Sequence, residues 1–251
     1  MDFVKIPNLP ESNVSLVVID GRTSPEAEVC LAQMGIKVIR TSRYPGVYDA
    51  IAFHPDIMLH HIGEKTIVYA PGTSPNLLEQ LQGYGFELIE GSSCLTAQYP
   101  GDIAYNAARV GSFLIHNFKY TDRALLNLLE KENLTFINVK QGYTKCSVSV
   151  VNENSIITHD KGIAAAVEKY GINVLLLEEA DEILLPGLDR GLIGGCGGLA
   201  AKNKWVVNGN LRLLKSHALI FSFLEARGIK PISLAKGSVI DIGSVLPLMS
   251  V

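Results

Sequence analysis

The chain has 251 residues, 47% of them hydrophobic and 19% charged, with a formal net charge of −3 at pH 7. This is the composition of a globular protein, and without a basic excess no nucleic-acid partner is expected. The amino-terminal MDFVKIPNLPESN has no basic segment leading into an apolar one, and no apolar run approaches the ~18 residues of a membrane helix, so neither a signal peptide nor a membrane partner is expected.

Residues 1–13, with Pro7 and Pro10, read as a lead-in. Val14–Ile19 is an unbroken apolar run and reads as a buried strand. It ends in Asp20-Gly21-Arg22-Thr23-Ser24-Pro25, much as Val68-Tyr69-Ala70 ends in Pro71-Gly72-Thr73-Ser74-Pro75. Ser before Pro suits a helix start, because Ser accepts a bond from a free helical N–H and Pro has no N–H to lose. Helical apolar spacing follows over Glu26–Met34 and Asn76–Gly83, and again over Arg123–Lys131, Gly162–Tyr170 and Ser216–Arg227. Gly35, Gly85, Gly171 and Gly228 stand between four of these helices and an apolar strand, and Asn133 has the same place in the remaining one. Gly and Asn take the left-handed stop at least cost.

The segments between are hairpins opened by a corner. His54-Pro55-Asp56 opens the first, which turns at Gly63-Glu64. Asp56, Asp102, Cys146, Cys196 and Asp241 follow one another at 46, 44, 50 and 45 residues. A period of this size is the mark of repeat architecture. The last unit is short, with one strand, Ile242–Leu248, after Asp241. Val14–Ile19 has no unit of its own and supplies the missing strand. The expected fold is α/β: five strand–hairpin–helix repeats in a single domain over 1–251, arranged as a ring that the amino-terminal strand closes. An open doubly wound sheet would explain the alternation of helix and strand, but not the hairpins or the half-unit at each end.

This pattern resembles the pentein fold, the five-bladed α/β propeller of guanidino-group modifying enzymes and ribosome anti-association factors. His54-Pro55-Asp56, followed by an apolar strand and Gly63, is similar to the His-x-Asp corner of agmatine- and arginine-deiminase-like enzymes. Arg190-Gly191-Leu192-Ile193-Gly194-Gly195-Cys196 is similar to their glycine-rich approach to a nucleophilic cysteine. The resemblance implies a cysteine-dependent hydrolase, deiminase or amidinotransferase acting on a small guanidino or amidino molecule. The alternative is a non-catalytic pentein that binds a protein or ribosomal partner, or a small ligand. In the enzymes the nucleophile lies in the last repeat and often follows His. Here the last repeat has no cysteine, and Gly195 precedes Cys196.

Guanidinium chemistry needs carboxylates to hold the planar N–H fork, a thiolate to attack the carbon and an acid to protonate the departing nitrogen. The expected catalytic residues are Cys196, His54 and Asp56. The expected substrate contacts are Asp102, Cys146, Asp160, Asp189, Arg190 and Asp241. The glycine run favours Cys196 as nucleophile, whereas repeat counting and the neighbouring Lys145 favour Cys146. Any one of these Asp residues could instead cap a turn, and either cysteine could be a core side chain. Cys30 and Cys94 read as structural. The four cysteines have neither metal-ligand spacing nor the density of a disulfide scaffold, so a reducing, cytoplasmic setting is expected. Neither a metal nor a cofactor is expected.

Overall fold

Strand pairing builds five small sheets in this computed structural model, which describes residues 1–178 and 182–251. Four sheets share one plan. Two antiparallel strands form a hairpin, a helix follows, and a third strand returns parallel to the second. The first sheet is Leu59–Gly63, Thr66–Tyr69 and Glu87–Glu90, with helix Pro75–Gly83. The second is Ala108–Val110, Phe113–His116 and Thr135–Asn138, with helix Arg123–Leu129. The third is Ser149–Asn152, Ser155–Thr158 and Asn173–Leu176, with helix Lys161–Val167. The fourth is Gly197–Ala201, Lys204–Val207 and Lys230–Ser233, with helix His217–Glu225.

The fifth sheet joins the two ends of the chain. Val14–Ile19 pairs antiparallel with Leu246–Ser250, placing Val18 opposite Leu246 and Val17 opposite Pro247. Lys37–Arg40 then pairs parallel to Val14–Ile19, after helix Pro25–Gln33. Every residue of Val14–Ile19 is buried.

Local chemistry accounts for the helix ends. Ser24 accepts from Ala27 N at 3.2 Å, Asp122 from Leu125 N at 2.9 Å and Asp160 from Ile163 N at 2.8 Å. Gly35 and Gly85 take φ of +79° and +91°, so the chain leaves the helix in the left-handed region where a Cβ would be strained. Leu77 and Leu81, one turn apart, face the core. Each fully buried Leu or Ile contributes about 1.5–3 kcal/mol of transfer free energy.

The structure corrects three expectations. Asn133 does not enter the left-handed region; helix Arg123–Leu129 ends earlier, and the amides of Lys131 and Glu132 bond back to Leu128 O and Leu129 O. The last strand is Leu246–Ser250 rather than Ile242–Leu248, because Gly243 and Ser244, at φ +64° and +78°, turn the chain before it. Within the lead-in, Asp2–Phe3 pairs with the outer side of Leu246–Ser250, which makes the fifth sheet four-stranded. No helix among the described residues is long and apolar enough to cross a membrane.

Candidate functional site

Three of the five corners meet. His54 and Asp56 stand at the short helical turn Pro55–Met58, Cys146 lies in the turn Thr144–Ser147, and Asp241 begins the left-handed bend before the last strand. All four side chains are buried. Asp20, at the end of Val14–Ile19, borders the same group, with Oδ2 at 3.9 Å from His54 Nε2.

Cys146 Sγ lies 3.3 Å from Asp56 Oδ1 and 3.3 Å from Oδ2, so the thiol donates to the carboxylate. Asn106 fixes this pair. Its amide nitrogen donates to Cys146 Sγ at 3.3 Å and to Asp56 O at 2.9 Å, while its oxygen accepts from Lys145 N at 2.9 Å and from Cys146 N at 3.3 Å. Ser244 Oγ sits 2.7 Å from Asp56 Oδ2 and accepts from Lys145 Nζ at 2.7 Å. Burial raises the Cys146 thiol far above its ordinary value, and the charges of Asp56 and Asp241 add to this. Burial also raises Asp56, against the nearby Lys145 ammonium, and lowers Lys145 itself.

His54 is placed differently. Neither ring nitrogen makes a hydrogen bond of normal geometry; the nearest carboxylate oxygens, on Asp20 and Asp241, are at 3.9 Å. Burial, and then the charge of Arg22, pushes its pKa down to about 3, and the Asp241 main chain offsets this only in part. At neutral pH His54 is a neutral imidazole, able to donate from one nitrogen and accept at the other. Asp241 accepts from Gly243 N at 3.0 Å and Leu192 N at 2.8 Å, yet burial and the Asp56 charge raise it to about 7.

The glycine run has a close-packing reason. A Cβ on Gly195 would lie 1.9 Å from Asp241 Oδ1, and one on Gly194 would lie 2.4 Å from Lys145 O. The run lays bare backbone against the cluster without bringing Cys196 into it. The Cys196 thiol donates to Leu192 O at 3.2 Å and packs with Ile193, Leu199, Trp205 and Val207. Cys196, expected as the nucleophile, therefore stands as an apolar core cysteine, while Cys146, expected as a substrate contact, stands beside Asp56.

The other expected residues lie outside this cluster. Asp102 is buried, accepts from Tyr143 Oη, and so connects to Tyr48, whose hydroxyl lies 2.9 Å from that of Tyr143. Asp160 caps its helix, accepts from Gln141 Nε2 at 3.0 Å and, with Arg190, lines a cleft of about 250 Å³. Asp189 is exposed. Asn106 and Ser244 escaped the sequence reading. Asn106 follows the Asp102 corner and Ser244 follows Asp241, so the repeat carried a faint signal for both.

The family of unknown function DUF6873 matches residues 18–246. The chain belongs to that family. No curated protein matches its sequence. Among solved structures, an amidinotransferase of the saxitoxin pathway from Microseira wollei shares 13% identity at a TM-score of 0.58, over 91% of each chain. The inosamine-phosphate amidinotransferase of Streptomyces griseus shares 12% at 0.57, over 95% of this chain and 97% of its own. DDAH from Pseudomonas aeruginosa, complexed with citrulline, shares 9% at 0.57, over 88% and 92%. At such identities the likeness is one of fold: this DUF6873 member shares the fold of those two amidinotransferases and of DDAH.

Proposed function

We propose that this DUF6873 protein is a cysteine-dependent enzyme acting on a C–N bond of a small guanidino or amidino molecule, with Cys146 as nucleophile. The observation that carries the reading is the contact of Cys146 Sγ with both oxygens of Asp56, 3.3 Å each, beside a buried and unpartnered His54. In this reading the five sheets are blades of an α/β propeller whose ring Val14–Ile19 closes; the pairing of that strand with Leu246–Ser250 supports it. The corners of three blades then face one centre.

The chemistry follows from the groups present. Asp56 accepts the thiol proton, and the Sγ lone pair attacks the guanidinium carbon. The C–N bond breaks as the proton taken up by Asp56 passes to the departing nitrogen, with neutral His54 relaying it, accepting at one ring nitrogen as it donates from the other, so that Asp56 returns to carboxylate. An S-linked amidino intermediate remains, and water or an amine releases it, returning the thiolate. Asp241 and Asp56 hold N–H groups of the planar cation. Purified protein offered a panel of guanidino and amidino compounds should release amine or ammonia with some of them. Cys146→Ser should abolish release while Cys196→Ser retains it; loss in Cys196→Ser alone would overturn the assignment.

A second reading rests on the burial of the whole cluster. A non-catalytic pentein that binds a partner would keep such groups closed from solvent. Binding of a protein partner, with neither turnover nor binding of any small guanidine, would favour it. No nucleic-acid partner is proposed, given the net charge of −3.

A further inference from the structure

We propose that His54, Asp56 and Cys146 form a site for one divalent cation of the zinc class. Each offers one ligand atom, and the three atoms all lie within 4.8 Å of one another. Ligand atoms on a tetrahedral zinc stand roughly 3.3–3.6 Å apart, from bonds of about 2.0–2.3 Å. The Cys146–Asp56 edge already measures 3.3 Å. Only the imidazole needs to close in: His54 is fully buried, and neither ring nitrogen makes a hydrogen bond of normal geometry, the Asp241 main chain being only a weak neighbour. A buried polar ring without a partner costs stability unless some group satisfies it. Asp241 Oδ1, 3.9 Å from His54 Nδ1, stays outside the ligand group and adds negative charge beside it.

The donor set selects the ion. One sulfur, one imidazole and one carboxylate suit zinc or cobalt, whereas calcium and magnesium take oxygen alone. Binding forms an S–metal bond and sends the thiol proton to solvent. The Lys145 ammonium opposes a nearby cation, but it bonds to Ser244 Oγ, which stands between it and Asp56. Arg22 is paired with Asp20 at 2.7 Å and leaves the Asp56 oxygens free of it. Asn106 donates to Sγ, a contact that orders a thiolate ligand as partners behind metal ligands commonly do. The inference shares the assignment of Cys146 with the catalytic reading, but it does not require turnover. A cation here occupies the thiolate that would attack a substrate.

The test is titration of the metal-free protein with Co²⁺ alone. One equivalent should bring up a thiolate-to-cobalt charge-transfer band, and Zn²⁺ should displace it. Cys146→Ser should remove the band, Cys196→Ser should keep it, and His54→Ala should weaken binding by at least about tenfold. Zinc-edge X-ray absorption on the native protein gives the same answer without any substitution: one sulfur with nitrogen and oxygen ligands. A band that survives Cys146→Ser, a zinc bound by oxygen and nitrogen only, or no stoichiometric binding would overturn the site. Amine release measured in chelator separates the two proposals. Turnover without metal binding sinks the metal site alone, and a cobalt band without turnover sinks the enzyme reading alone.

Discussion

Cys146 Sγ rests 3.3 Å from each oxygen of Asp56, a residue ninety positions earlier in the chain. A thiol so placed donates its proton to a carboxylate that burial has made more basic. Transfer of that proton leaves a thiolate next to a neutral acid and avoids two adjacent anions. The pair is stable as thiol and carboxylate, and a cationic ligand shifts it toward thiolate by stabilising the anion.

On the proposed assignment the two buried cysteines should respond differently to substitution. Cys146→Ser should lower any guanidino turnover by more than about a thousandfold, since an alcohol is a far weaker nucleophile at neutral pH. Cys196→Ser should change stability rather than rate, because its thiol touches Leu192 O and apolar side chains. Parallel measurements of amine release and urea midpoint check both halves.

Gly243 is the position where the site and the fold constrain each other. Its φ is +64°, and a Cβ there would stand 2.3 Å from His54 Cβ. Gly243→Ala should destabilise the protein by at least about 2 kcal/mol, through backbone strain and displacement of the imidazole. Urea unfolding measures it. A variant as stable as the native protein would mean that the bend is not held as described.

Much of this arrangement was legible in the sequence. The interval of 44 to 50 residues placed Asp56, Cys146 and Asp241 at equivalent corners, and the half-units at the two ends placed Val14–Ile19 against the last strand. What the sequence did not carry was the contact between one sheet's corner and another's. Ser244 meets Asp56 over 188 residues and Lys145 meets Ser244 over 99, and no periodicity encodes which side chains reach across. The glycines before Cys196 read as a thiol's approach, whereas they make room for the Asp241 carboxylate and the Lys145 carbonyl. Close approach and substrate access call for the same residue.

Stability should fall on acidification below about pH 6.5. His54 and His60 are pushed down to about 3, and His61 and His116 to about 4, in each case chiefly by burial. The unfolded chain takes up protons on these four groups between about pH 6.5 and 3, and the folded chain does not, so the stability they contribute is lost as pH falls. Asp241, raised to about 7, and Asp56, also raised, act in the opposite sense over the range in which their unfolded forms are ionised. Asp102, also raised, opposes the histidines as well, while Asp122, lowered, acts with them, so the net slope near pH 5 keeps the histidines' sign. Urea midpoints from pH 4 to 8 should rise toward neutrality and then level. A midpoint that is flat or falls between pH 4 and 6.5 would show that the histidines are not held neutral.

The last expectation concerns the closing strand. Val14–Ile19 is buried throughout, with Leu246–Ser250 on one side and Lys37–Arg40 on the other. Deleting residues 1–20 removes the middle of that sheet and leaves two unpaired edges facing a gap, a geometry that invites aggregation. It also removes Asp20, and with it the bidentate partner of Arg22 beside His54. Trp205 reports the outcome, since it is the chain's one tryptophan, is fully buried and donates to Ser149 Oγ at 2.9 Å in another sheet. In the truncated protein its emission should shift to the red, and thermal unfolding should lose its cooperative transition. A soluble truncated protein with native emission and a sharp melt would mean that the remaining sheets hold together without Val14–Ile19, and the closed ring would have to be given up.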